Sequence, residues 1–162
     1  MNKEESAATG VRICRASLAE QAEAFRIVAE YNEAVGVQVR DTAEEFRASY
    51  FGENGGLWLA MAGGQAVGCI AMRALPGRKT TADAAEVKRL YVRPVWRGRG
   101  IADALLDRLE AYAQEHGVRA LYLDSKDDLQ AALRFYRRRG YQPCARYNDN
   151  PQATVFLRRD LV

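Results

Sequence analysis

The chain has 162 residues, 48% of them hydrophobic, which suits one domain with a sizeable core. No run approaches the roughly 20 apolar residues of a membrane span, and the opening MNKEESAATG lacks the apolar stretch of a secretory signal, so a soluble, cytoplasmic protein without a membrane partner is expected. A net charge of only +3 argues against a nucleic-acid partner, and Cys14, Cys69 and Cys144, odd in number, far apart and in apolar settings, fit neither a disulfide framework nor a zinc site; reduced thiols and no metal are expected.

Residues 1–10 read as a disordered tail and 11–162 as a single domain. Val11 to Ala16 (VRICRA) alternates like a strand, and Leu18, Ala22, Phe25, Val28 and Ala29 recur at helical spacing. A second acidic helix over about Thr42 to Phe51 stops at Gly52. LWLAMA and AVGCIAMRAL flank Gly63-Gly64, the pattern of a hairpin closed by a tight glycine turn. LPGRKTTADA, with Pro76 and Gly77, reads as a loop before the strand AEVKRLYV. Then comes VRPVWRGRGIA (Val92 to Ala102), which leads into a helix carrying Ile101, Leu105, Leu106, Leu109 and Tyr112 on one side and stopping at Gly117. The strand VRALYLD, a helix through Leu129, Ala132, Leu133 and Tyr136 to Gly140, and two strands, YQPCARY and TVFLRRDL, around a turn-rich NDNPQ complete the chain. This order predicts an α/β domain, a mixed and mostly antiparallel sheet of about seven strands with helices on both faces.

The chemistry concentrates in VRPVWRGRGIA. A strand that ends in a glycine-rich turn and feeds a helix aims unpaired backbone amides and the positive end of the helix dipole at one point, where an anionic phosphate fits. Gly98 and Gly100 let the backbone approach such a group, Ala102 keeps the first helical turn narrow, and Arg97 and Arg99 add charge-assisted hydrogen bonds. The chain has no GxxxxGK[ST] phosphate loop, and GRGIAD lacks the third glycine of the dinucleotide fingerprint.

The segment resembles the acetyl-CoA signature of the GNAT N-acetyltransferase superfamily, Gln/Arg-x-x-Gly-x-Gly/Ala, on Arg97, Gly100 and Ala102. Upstream, EVKRLYVRP resembles the family's fourth strand. Downstream, Ala132, Phe135, Tyr136, Gly140 and Tyr141 resemble its Ala-x-x-Phe/Leu-Tyr-x-x-x-Gly-Phe/Tyr motif. The resemblance runs from Val11 to the C-terminus. It implies a sheet splayed between its fourth and fifth strands, with the pantetheine arm of acetyl-CoA in the gap. It also implies transfer of the acetyl group to a primary amine of a small molecule or peptide, by direct attack in a ternary complex.

By this resemblance Leu90, Tyr91 and Val92 meet the pantetheine and the thioester carbonyl, and Arg97, Gly98, Arg99, Gly100, Ile101 and Ala102 hold the pyrophosphate. Tyr136 hydrogen-bonds or protonates the departing thiolate; otherwise it is an aromatic of its helix's buried stripe. Glu86 serves as a base for the amine, directly or through water, or pairs with a neighbouring cation such as Lys88 or Arg89. Strand alternation puts Glu86, Lys88 and Leu90 on one face, a phase that a bulge would change. The family often has Asn seven residues before the tyrosine, where this chain has Leu129.

Of Arg137, Arg138 and Arg139, one at most reaches the cofactor's 3′-phosphate, because successive helical residues fan over most of a turn. Trp96 packs over the glycine loop or anchors it to the sheet, and His116, just before Gly117, favours a helix end. Residues 17–56 carry a net −5 and residues 86–102 a net +4, so either the acidic region draws a cationic amine and the basic region the cofactor, or the acidic region is solvated helix surface with no substrate role. Tyr31, Tyr147 and Asn150 are candidate pocket residues. Two other functions stay open to the sequence: a non-catalytic acyl-CoA sensor, and a nucleic-acid binder using RGRG and RRRG, which lacks interleaved aromatics. Homodimers are common in the family, and nothing in this sequence fixes the oligomeric state.

Overall fold

The computed structural model describes residues 5–6, 10–36 and 41–161, the first two by backbone only. Of the expected tail, residues 1–4 and 7–9 lie outside the described residues, while β1 (Glu5–Ser6) pairs antiparallel with β2 (Val11–Arg15). A short 3-10 turn (Leu18–Glu20) capped by Ser17 leads into α1 (Gln21–Val35), and α2 (Ala43–Tyr50) starts in a Thr42–Glu45 capping box. Then follow β3 (Gly55–Ala62), β4 (Gln65–Ala74), β5 (Asp83–Val92), α3 (Ile101–Glu115), β6 (Val118–Ser125), α4 (Gln130–Arg138), β7 (Gln142–Pro143) and β8 (Val155–Asp160). The sheet order is β1-β2-β3-β4-β5-β6-β8-β7, antiparallel everywhere except β5–β6, which α3 joins as a parallel crossover.

Helices cover both faces, which explains why β3 and β4 read as continuous apolar runs rather than as alternating ones. On one face α3 and α4 bury Trp58, Ile70, Met72, Leu105, Leu109 and Leu121; on the other α1 and α2 bury Ile27, Phe46, Tyr50, Leu57, Leu59 and Cys69. Gly63 and Gly64, at φ +57° and +83°, close the β3–β4 hairpin in the left-handed conformations that a two-residue turn requires. Cys14 and Cys69 are buried, Cys144 is half-buried, and all three are free thiols. Among the described residues no helix is long and apolar enough to cross a membrane.

Two irregularities shape the site. Cys69 faces Tyr91 and Ala71 faces Lys88, so β5 carries an extra residue opposite β4, with Arg89 at φ +64°. That conformation costs a non-glycine residue about 1–3 kcal/mol. It is held because the Arg89 guanidinium donates to Asn32 Oδ1 at 2.9 Å, Asp41 Oδ2 at 2.7 Å and Tyr50 Oη at 3.4 Å, tying the bulge to both covering helices and to Asp41 between them. The bulge reverses the strand's phase: Ala85 and Val87 join the α3 face, but so do Leu90 and Val92, while Tyr91 turns to the α1 face. Glu86, Lys88 and Leu90 therefore do not share a face.

Secondly, the β5–β6 ladder runs only from Asp83 opposite Val118 to Glu86 opposite Tyr122. Beyond Glu86 the two strands part, each still held by its other neighbour. The expected strand YQPCARY shrinks to Gln142–Pro143. Pro143 has no amide to donate, and Tyr147 is drawn inward to the carboxylate of Glu86 instead of extending the strand.

Candidate active site

The gap between β5 and β6 opens as a cleft of about 600 Å³. At its mouth the chain leaves Val92, makes a 3-10 turn (Pro94–Trp96) and enters α3 through Gly98 and Gly100, at φ +77° and +79°. In neither case would an added Cβ meet protein within 4 Å, so glycine is required here by backbone conformation and by whatever approaches, not by neighbouring side chains. Among the described residues the amides of Gly98 to Asp103 donate to no protein acceptor, whereas Ala104 already donates to Gly100 at 3.0 Å. Arg97 is braced by its Nε donating to Val92 O at 2.8 Å and lies over the Tyr91 ring.

Leu90, Tyr91, Val92, Arg97, Gly98, Gly100, Ile101 and Ala102 all line this cleft. Arg99 does not: its guanidinium stacks on Trp96 at 4.8 Å and donates to Val95 O at 3.3 Å, making the Trp96–Arg99 pair an outer brace of the loop. Of the three successive arginines Arg138 alone lines the cleft, held 3.1 Å from Asp103. Arg139 shares Asp103, at 3.2 Å, but lies outside the cleft lining and joins an ion-pair group with Asp107 and Glu110 that Arg159 completes. His116 stacks on Tyr112 at 3.8 Å, remote from the cleft lining.

Tyr136 comes from α4, which Leu129 caps from the cleft wall. Its ring packs edge-on to Phe135 and Tyr141 and it is only 6% exposed, yet it lines the cleft. Among the described residues no protein group hydrogen-bonds its hydroxyl. Burial, reinforced by Tyr141, holds the phenol well above its ordinary pKa, so it is protonated at neutral pH.

A second, polar cavity of about 350 Å³ adjoins the cleft, and Tyr31, Lys88, Arg89, Asp124, Ser125 and Leu129 line both. Glu86 lies behind its wall, 0% exposed and lining neither cavity. Its Oε1 accepts from Arg73 Nε at 3.0 Å, and its Oε2 from Tyr147 Oη at 2.6 Å and Asn148 Nδ2 at 3.3 Å. Burial and the adjacent carboxylate push the Tyr147 phenol far up, so it remains a donor. Asn148 also donates to Asp124 Oδ2 at 2.6 Å, where Asn150 joins at 3.2 Å. One amide side chain thus bridges the buried Glu86 to Asp124 at the junction.

Asp124 had no motif to announce it in sequence; the sole hint was a carboxylate at the end of a strand whose partner diverges. Tyr31 and Asn150, expected near a pocket, line the polar cavity, and Tyr147 supports it from behind through Glu86. Burial pushes the Tyr31 phenol up to about 12.

The acidic region does not form the cavity walls as its charge suggested. Glu30 is paired with Arg93 at 3.0 Å, Glu23 with Arg26, Glu33 is exposed, and of the acidic residues in 17–56 Asp41 alone lines the polar cavity, bound to Arg89. The helix carboxylates are structural partners and solvated surface.

Residues 17–141 match the Acetyltransferase (GNAT) family. An uncharacterized N-acetyltransferase of Schizosaccharomyces pombe is 33% identical over 96 residues, 59% of this chain and 56% of its own length. The chain spans about half the length of the curated relatives it matches first, 56% and 51% of them. A GNAT-family acetyltransferase of Staphylococcus aureus superposes with a TM-score of 0.78 at 19% identity, over 94% of this chain and 99% of that one. An N-acetyltransferase of Thermoplasma acidophilum solved in complex with coenzyme A superposes with a TM-score of 0.71 at 15% identity, over 93% and 98% of the two chains. With the splayed parallel pair, the glycine loop at its mouth and a match that spans both, the chain belongs to the GNAT acetyltransferase family.

Proposed function

We propose that the protein transfers an acetyl group from acetyl-CoA to the primary amine of a small molecule or peptide by direct attack within a ternary complex. The reading is supported above all by the continuity of the two cavities: a cleft with free amides at one end meets, at Asp124 and Lys88, a separate polar cavity. The residues present fit the coenzyme. Six successive amides with no protein acceptor among the described residues suit a pyrophosphate, Arg97 and Arg138 add positive charge, and the edge of β5 beyond Glu86, unpaired on the β6 side, suits an amide-bearing arm laid along it.

Acetyl-CoA supplies the activated acyl group as a thioester. Leu90, Tyr91 and Val92 orient it through their backbone, and Tyr136, kept protonated by burial, donates a hydrogen bond or proton to the sulfur as the C–S bond breaks. Asp124 stands where the amine enters the cleft and accepts the proton that the ammonium must lose. Glu86 acts one step removed, as a positioning residue: it fixes Asn148 and Tyr147, and Asn148 fixes Asp124. Thiol release from acetyl-CoA with a panel of amines tests the proposal. Coenzyme A binding without amine-dependent thiol release for any member of the panel would overturn it.

A further inference from the structure

The polar cavity holds an imbalance between its acids and its bases. Each carboxylate around it is already met by donors: Glu86 by Arg73, Tyr147 and Asn148, Asp41 by Arg89, and Asp124 Oδ2 by Asn148 and Asn150. Only Asp149, exposed at the rim, carries a carboxylate with no such partner among the described residues.

The cations are less used. Lys88 Nζ lies 3.9 Å from Glu86 Oε1 and 3.8 Å from Asp124 Oδ1, outside hydrogen-bond range of both, with its side chain only 18% exposed. Lys126 Nζ spends one donor on Val35 O at 3.0 Å and has no carboxylate partner among the described residues. The cavity therefore offers surplus charged donors to an anion, and a diamine entering it would meet ammonium and guanidinium groups. Asp124 Oδ1, which faces Lys88 across 3.8 Å, is the one carboxylate oxygen at the junction free to receive an amine.

Resting on the acetyl-transfer reading above, we propose that the acceptor is a small amino acid, its amine on Asp124 Oδ1 and its carboxylate on Lys88 and Lys126. The covalent geometry agrees. In an α-amino acid the nitrogen is one bond and the carboxylate oxygens are two bonds from the α-carbon, roughly 3 Å apart, so the molecule carries its two charges at about the spacing of Asp124 and Lys88. A volume of about 350 Å³ admits such a molecule with room to spare.

The test compares each of alanine, serine and β-alanine with its own amide and with putrescine, by thiol release and by calorimetry on the protein–coenzyme A complex. The expected result is at least a tenfold preference in kcat/KM and in affinity for the carboxylate-bearing member of each pair. In Lys126→Gln that preference should fall at least fivefold, the loss residing in KM, and Lys126→Arg should restore it. Equal use of acid and amide, a preference for putrescine, or an unaltered preference in Lys126→Gln overturns the inference while leaving acetyl transfer intact. If no amine releases thiol, the transfer reading fails, and the calorimetry still decides this one: amino acids that bind no tighter than their amides refute it.

Discussion

Replacing Gly100 with Val tests the glycine loop. At φ +79° and ψ 11° Gly100 sits in the left-handed region, where a residue with a Cβ, and a β-branched one most of all, is disfavoured by about 1–2 kcal/mol. Nothing in the protein within 4 Å obstructs the new side chain, so the fold should survive, with Tm lower by about 2–8 °C for a domain of this size. The site should suffer more. Relaxing φ toward negative values swings the amides of Ile101 and Ala102 off their common target, and an unrelaxed Val projects its methyls into the space the anion needs. Loss of one or two hydrogen bonds to a charged group, each about 1.5–3 kcal/mol, predicts a coenzyme A Kd raised about tenfold or more. Isothermal titration calorimetry measures it. Gly77→Val is the matched control, since Gly77 has the same φ of +79° and the same open surroundings but lies outside the cleft; it should show the Tm loss without the affinity loss. Equal coenzyme A affinities in Gly100→Val and the parent protein would refute the assignment of the loop.

Tyr136→Phe should lower kcat about 100-fold with coenzyme A affinity within twofold, and because the hydroxyl bonds no described protein group, stability should hardly move; an unchanged kcat would make Tyr136 a core aromatic alone. Asp124→Asn should lower kcat about 100-fold or more, whereas Glu86→Gln should lower it less and lose about 1–3 kcal/mol in urea unfolding, because Arg73 keeps a weaker partner; a larger loss of kcat in Glu86→Gln than in Asp124→Asn would reverse the two roles. Glu23, hydrogen-bonded by Arg26 and by the Ala66 amide, has its pKa lowered from 4.5 to about 2. Its contribution is therefore complete above pH 4.5 and disappears as pH falls toward 2. After allowance for its partly exposed position it amounts to about 1 kcal/mol, and Glu23→Gln should flatten the urea midpoint over that interval.

Much of the cofactor side was legible in the sequence because it depends on local backbone. Glycines at two left-handed positions, a strand before them and a helix after them confine the chain to a few conformations, and the free amides follow from any helix start. The apolar periodicities of α3 and α4 and the Gly63-Gly64 hairpin were legible for the same reason: each is settled within about ten residues. Arg99 shows the limit, since its motif position says nothing of the Trp96 ring that holds it outside the cleft.

The acceptor side was decided by tertiary structure. Glu86 and Asp124 are 38 positions apart and share a hydrogen-bond partner because Asn148, from an irregular segment near the C-terminus, reaches both. The Arg89 bulge, which sends Leu90 and Tyr91 to opposite faces, needs Asn32, Asp41 and Tyr50 from distant segments to hold a left-handed arginine. The net −5 of residues 17–56 pointed to a cationic substrate until Arg26, Arg89 and Arg93 were found to engage its inward-facing carboxylates. Local spacing determines where a chain turns and which amides it leaves free; which charges remain available to a ligand depends on partners that only the folded chain brings within about 4 Å.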